Sequence, residues 1–131
     1  MKIKRETDYA IRCILYLAAQ QDRVTMIDEI AKEMSVPRDF LAKIVQRLAK
    51  QGIIKSFRGI KGGFRLNREA GEINLLEVIE AVEGPVTMND CAVDRRSCDR
   101  WNACPMHPVW VGVRDEVRSI LKSKTFDLLV G

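Results

Sequence analysis

Residues 25–66 read TMIDEIAKEMSVPRDFLAKIVQRLAKQGIIKSFRGIKGGFRL, and the change of period inside this stretch decides the fold. Ile27, Ile30, Ala31 and Met34 recur at helical spacing, and Thr25 to Asp28 has the form of a capping box that opens this short helix. Ser35-Val36-Pro37 breaks it, and Pro37 suits the first turn of the next helix. That second helix places Phe40, Leu41, Ile44, Val45 and Leu48 inside and Arg38, Lys43, Gln46, Arg47 and Lys50 outside, and Gly52 ends it as a left-handed cap. Residues 53–57 and 64–66 then read as short strands around Arg58-Gly59-Ile60-Lys61-Gly62-Gly63, a glycine-rich basic hairpin tip. Two short helices with a tight break, followed by a basic hairpin, make a winged helix-turn-helix, mainly α with a small β-wing.

Such a module reads DNA. The second helix can enter a major groove about 12 Å wide. The candidate DNA contacts are Arg38, Asp39, Lys43 and Arg47 on that helix and Arg58 and Lys61 at the tip. An arginine at a wing tip fits a narrow minor groove, where negative potential is focused. The tip glycines match neither G-x-x-x-x-G-K-[ST] nor G-x-G-x-x-G, so a nucleotide-phosphate loop is excluded.

Outward from this core, Tyr9, Ala10, Cys13, Ile14, Leu17 and Ala18 form the stripe of a first helix, which makes Cys13 a buried core thiol. Asn74 caps a further helix, with Glu77 at its third position and Leu76, Ile79 and Val82 on its apolar face, and Gly84-Pro85 stops it. Residues 86–107 show no period. Pro108 opens a last long helix whose stripe of Trp110, Val113, Val117, Ile120 and Leu121 is rich enough to bury against a second copy of the chain. The organisation expected is a DNA-binding domain over 1–84, a cysteine-rich loop over 85–107 and a dimerisation helix over 108–131.

Composition agrees. With 131 residues, 47% hydrophobic and 31% charged, the chain is expected to be one ordinary domain, or one domain with a docked appendage, too short for an α/β barrel or a large doubly wound sheet. The longest apolar run, Cys13 to Ala19, is far below the roughly 20 residues that span a bilayer. No secretory leader opens the chain, so no membrane association and a cytoplasmic location are expected. Residues 1–68 carry fifteen Lys and Arg against seven Asp and Glu, whereas residues 69–131 carry seven against eleven. The basic half fits a double-stranded DNA operator as partner. No Ser/His/Asp order and no paired carboxylates are present, and the single His cannot serve both ligation and acid–base work; the chain is not read as an enzyme.

Cys91, Cys98 and Cys104 are spaced C-x6-C-x5-C, and His107 follows Cys104 after two residues. Thiolates and imidazole are ligands for iron–sulfur clusters or zinc, and three thiolates plus one further donor complete a four-ligand site. A structural zinc site usually contains a tight C-x2–4-C knuckle, which is absent. A disulfide is disfavoured in a reducing compartment. On the residues alone, cluster and zinc both stand.

Thr7-Asp8-Tyr9-Ala10, Val36-Pro37 leading to Phe40-Leu41, Arg58-Gly59-x-x-Gly62-Gly63-Phe64-x-Leu66, and Val78-Ile79-x-Ala81-Val82-Glu83-Gly84 with the later cysteines resemble the IscR/NsrR/CymR group of bacterial winged-helix regulators. The resemblance covers nearly the whole chain. It implies a homodimeric transcription regulator with the last long helix crossing to the partner, with Arg58 reading DNA, and with an iron–sulfur cluster on Cys91, Cys98 and Cys104. His107 matches the fourth ligand of the IscR-like branch, which holds a 2Fe–2S cluster. Asp8 matches the ligand that the NsrR-like branch donates across the dimer to a 4Fe–4S cluster. Proximity to Cys104 in sequence favours His107, and with it 2Fe–2S. The alternative is a winged-helix DNA-binding protein with structural zinc or a thiol-based redox switch in place of the cluster.

Overall fold

The computed structural model describes residues 2–87 and 103–130. The order is α1 (Arg5–Ala19), α2 (Ile27–Glu33), α3 (Arg38–Lys50), β1 (Ile54–Phe57), β2 (Gly63–Leu66), a single 3-10 turn (Ala70–Glu72), α4 (Leu75–Glu83), α5 (His107–Lys122) and α6 (Phe126–Val130). α1 is the central element: its Ala10, Cys13, Ile14 and Leu17 are buried against Ile30 of α2, Leu41, Ile44, Val45 and Leu48 of α3, and Ile53, Ile54, Ile73 and Val78. Burial of this apolar face, rather than intrinsic propensity, holds helices as short as α2 in place.

The α2–α3 break is built from the residues that interrupt the helical pattern. Ser35 takes φ +55°, and Val36, itself buried, donates its N–H to the Ala31 carbonyl at 3.0 Å. Pro37 stands just before the helix as its N-cap residue rather than inside the first turn; its extended ψ of 131° orients the chain for α3 to start at Arg38. Arg12 of α1 donates from Nη1 to the Met34 carbonyl at 3.2 Å, which ties the break to the central helix. At the other end of α3, Gly52 has φ +77°; its N–H reaches the Ala49 carbonyl and that of Ile53 the Leu48 carbonyl, both at 3.0 Å. This is a Schellman ending, with buried Ile53 and Leu48 as its apolar contact.

Thr25 does not cap α2. The N-cap residue is Met26, and no side chain caps this end. Thr25 instead exchanges two backbone hydrogen bonds of 2.8 Å with Phe64 of β2, so the β-ladder captures the residue that a local reading assigns to the helix. Asp28, expected to reach back, pairs with Arg38 at the start of α3. Gly63 makes the close approach possible: a Cβ there would stand 2.3 Å from the Thr25 carbonyl oxygen. The strands pair antiparallel, with Lys55 opposite Arg65 and Phe57 opposite Gly63. The Asn74–Glu77 capping box forms as expected, with reciprocal bonds of 3.0 and 2.9 Å.

The C-terminal segment departs from the expected continuous helix over 108–131. α5 ends at Lys122, and the chain turns back to add α6 to the core of the N-terminal domain. Leu75 N–H donates to the Lys124 carbonyl at 2.8 Å and Phe126 N–H to the Ile73 carbonyl at 3.1 Å, while the Phe126 ring is fully buried. α5 itself contains no buried residue. Val117 and Leu121 rest on Leu76, Ile79 and Val86, while Ile120 on the same helix is 60% exposed. Glu80 fixes α5 to α4: its carboxylate pairs with Arg118 and accepts the Val86 N–H at 2.9 Å.

A second polar tie joins the end of α1 to α2. Glu29 accepts from the Tyr16 hydroxyl at 2.5 Å and from Arg23 at 2.5 and 3.3 Å. The Arg23 hydrogen bond, and after it that of Tyr16, holds the Glu29 carboxyl below its ordinary value. A carboxylate whose pKa is depressed by folding contributes stability above the ordinary carboxylate value and loses it as pH falls through the lowered one. The thermal midpoint of the wild type is therefore expected to drop more steeply on acidification through this window than that of Glu29→Gln. Parallel acid slopes in calorimetry would show that the tie contributes nothing.

Candidate nucleic-acid interface and thiol site

α3 presents its exposed face opposite Leu41, Ile44, Val45 and Leu48. Asp39, Lys43, Gln46 and Lys50 lie on that face as one outward row, at the i, i+4, i+7, i+11 positions of a helix, and all are exposed. Lys43 and Asp39 were expected there. Gln46 and Lys50, exterior by spacing but not assigned to DNA, complete the row. Arg38 is exposed on the flank next to α2, paired with Asp28. A surface pair of this kind is worth little and can be exchanged for a phosphate. Arg47 lies on the opposite flank, where Nη1 stands 3.3 Å from Glu6 and 3.5 Å from the Val82 carbonyl. Phe40, expected inside, is on that flank too, edge-on to Tyr9 with ring centroids 6.1 Å apart. Its position, roughly a quarter turn from the core row, leaves it half covered by α1.

The hairpin adds a second cationic element. Arg58 and Lys61 are exposed at the tip. The strand alternation also places Lys55 and Arg65 on the solvent face beside Phe57, with Lys55 Nζ 5.5 Å and Arg65 Cζ 4.9 Å from the ring centroid. Neither was among the expected contacts; the two-residue period of the strands was the available signal. Both can meet phosphates, which position a protein on the duplex without reading its sequence.

The expected ligands are only partly within the described residues. Cys91 and Cys98 lie outside them. Cys104 is half-buried, and its carbonyl accepts the His107 N–H at 3.2 Å, so the two sit on one turn at the start of α5. A thiol and an imidazole on one turn suit a site that takes soft sulfur and nitrogen donors. Asp8 is exposed on α1 and paired with Arg12 at 2.9 Å. Among the described residues no three His, Cys, Asp or Glu side chains converge, so Asp8 does not join Cys104 and His107 within one chain. Cys13 is fully buried, and burial pushes its thiol up to about 12, which removes it from thiolate chemistry at neutral pH.

A helix-turn-helix with an outward polar row, beside a glycine-rich basic hairpin, defines a winged-helix DNA-binding transcription regulator, and its relatives are regulators rather than enzymes. Residues 3–131 match the family described as "Rrf2: Iron-dependent Transcriptional regulator", and the chain belongs to the Rrf2 family. A putative HTH-type transcriptional regulator of Aquifex aeolicus is 32% identical over 124 residues, which cover 93% of this chain and 86% of that protein. The HTH-type transcriptional regulator IscR of Xenorhabdus nematophila is 30% identical, over 99% of this chain and 79% of its own length. The structure of CymR, the global cysteine regulator of B. subtilis, superposes with a TM-score of 0.80 at 27% identity, covering 99% of this chain and 96% of that one. Among the described residues no helix is long and apolar enough to cross a membrane.

Proposed function

We propose that this regulator binds its operator as a homodimer in the cytoplasm, and that an iron–sulfur cluster held by Cys91, Cys98 and Cys104 with His107 controls its DNA affinity. The observation that carries the reading is the pairing of Cys104 and His107 on one turn at the start of α5. The family's description as iron-dependent supports it. A bound cluster supplies an iron- and redox-responsive crosslink among its ligands. The chain's own residues do the rest. Glu80 holds Arg118 and Val86, so α5 and the entrance of the cysteine segment share one anchor on α4. Through that shared anchor the ligand residues would adjust α5 and, with it, the separation of the two reading heads. Homodimerisation is supported by Ile120 and Val109, which α5 leaves in solvent.

His107 is preferred over the partner subunit's Asp8 as fourth ligand because it shares a turn with Cys104, and 2Fe–2S is preferred over 4Fe–4S with it. A thiol-based switch is the second reading, favoured by the likeness to the global cysteine regulator. Anaerobic absorption spectra with metal analysis, paired with DNA binding before and after chelation, separate the readings. A brown, iron-containing protein whose DNA affinity changes on cluster loss supports the proposal. Colourless zinc protein, or a metal-free protein that responds only to thiol oxidants, overturns it.

On the DNA side, Arg38, Asp39, Lys43 and Arg47 serve α3, and Arg58 and Lys61 serve the wing. Arg58→Ala is expected to cost roughly 1–3 kcal/mol of specific binding. Its exposed site limits the stability change to about 0.5 kcal/mol. Unchanged cognate affinity with an intact thermal transition would remove Arg58 from the reading surface.

A further inference from the structure

Ile60 stands at the tip of the β1–β2 hairpin and is 97% exposed. Turn tips are normally filled by Gly, Asn, Asp, Ser or Pro, each for a backbone reason. A β-branched aliphatic side chain has no such reason, and in full solvent it adds nothing to the core. The fold therefore does not account for Ile60.

Its surroundings do. Arg58 and Lys61 flank it, both exposed. The turn beneath it is closely specified: the Gly62 N–H donates to the Gly59 carbonyl at 3.0 Å, and Gly59 takes φ +102°. A Cβ on Gly62 would lie 2.3 Å from the Phe57 carbonyl oxygen. The hairpin is in turn bonded to Thr25 through Phe64. An aliphatic side chain is thus held out between two cations on a defined turn. The charge selects a polyanion, and the apolar group selects a surface that lies between two lines of negative charge. The duplex minor groove has that layout: phosphates on both rims and the C–H faces of deoxyribose as walls.

We propose that Ile60 enters the minor groove of the operator and makes the wing selective for A·T pairs. The inference rests on the wing reading above. In the minor groove an A·T pair shows only the adenine N3 and thymine O2 acceptors, whereas G·C adds the guanine N2 amino group. That amino group occupies the groove floor where a branched aliphatic group would sit, and the aliphatic group leaves its donor unpaired. Arg58 and Ile60 then divide the work: the guanidinium responds to the potential of a narrow groove, and the isoleucine rejects the protruding donor.

The test uses the duplex that the wild-type chain enriches from a randomised library. Adenines in it are replaced one at a time by 2,6-diaminopurine, which adds the N2 amino group in the minor groove and leaves the major-groove edge unchanged. Wild type is expected to lose about tenfold in affinity at the one or two pairs beneath the wing. Ile60→Ser is expected to bind the unmodified duplex more weakly, to be indifferent to diaminopurine at those pairs, and to keep the salt slope of the wild type, since no charge is removed. Arg58→Ala, by contrast, is expected to reduce that slope. If Ile60→Ser keeps full affinity and full diaminopurine sensitivity while Arg58→Ala loses it, the wing reading stands and the role of Ile60 falls. If wild type itself shows no diaminopurine sensitivity, the role of Ile60 falls, and the wing reading stands or falls separately with the salt slope of Arg58→Ala.

Discussion

Cys91→Ala, Cys98→Ala and Cys104→Ala are each expected to abolish the visible absorption of anaerobically purified protein and with it the cluster-dependent change in DNA affinity, whereas Cys13→Ala preserves both. The contrast is one of environment. Cys13 is enclosed by the α1 core and its thiol is pushed up to about 12, so no thiolate is present to bind iron. Cys104 is half-buried beside His107 at the start of α5. His107→Ala and Asp8→Ala then divide the fourth-ligand alternatives. Loss or displacement of the band in His107→Ala, with little change in Asp8→Ala, is the expected result; in that variant only the exposed Arg12 pair on α1 is lost. Release of the cluster by Asp8→Ala and by dilution would transfer the role across the dimer. An unchanged band in any of the three loop-cysteine variants would remove that residue from the ligand set.

Phe126→Ala is expected to destabilise the protein by about 3–5 kcal/mol, the range for emptying a buried aromatic site. Against a typical total of about 5–15 kcal/mol this is a large fraction. The ring is fully buried, and α6 is held by backbone bonds from Phe126 to Ile73 and from Leu75 to Lys124. The loss therefore falls on the DNA-binding domain, although the residue lies near the C-terminal end of the chain. Leu128→Ala on the same helix, 69% exposed, is expected to shift stability by no more than about 0.5 kcal/mol. Urea unfolding of the two variants decides; equal midpoints would mean that α6 is not part of the cooperative core.

The two sites differ in how much of each is legible in the sequence. The ends of α3 and α4 are local constructions. Gly52 and the Asn74–Glu77 box act within a few residues, so spacing alone identifies them. The hairpin is local as well, and its glycines mark the tip. Thr25 fails as a cap because its real partner, Phe64, is far along the chain and no periodicity carries that information. α6 is missed for a related reason: Phe126 falls five residues after Leu121, off the apolar stripe of α5, but what it packs on, Ile73 and Leu75, is far along the chain. Arg47 shows a further limit. Its exposure follows from helical spacing, but the partner that draws it to the flank, Glu6, belongs to another helix. The candidate thiol site rests on composition and spacing: of its expected ligands Cys104 and His107 share a turn, while Cys91 and Cys98 lie outside the described residues.

The pair of bonds between Thr25 and Phe64 has a consequence for what kind of operator this protein can accept. It makes the hairpin and the α2–α3 unit one rigid body, like a caliper with locked jaws. Inserting one base pair between the segment beneath α3 and the segment beneath the hairpin would move the second by about 3.4 Å and rotate it by about 34–36° around the duplex axis. The hairpin cannot follow without breaking its attachment at Gly63, where the two backbones already touch. Base identity within a half-site is thus free to drift at the cost of individual contacts, but its internal length is not. Variation in length is confined to the gap between half-sites, and in the proposed homodimer the pairing of the two α5 helices would set the tolerance there.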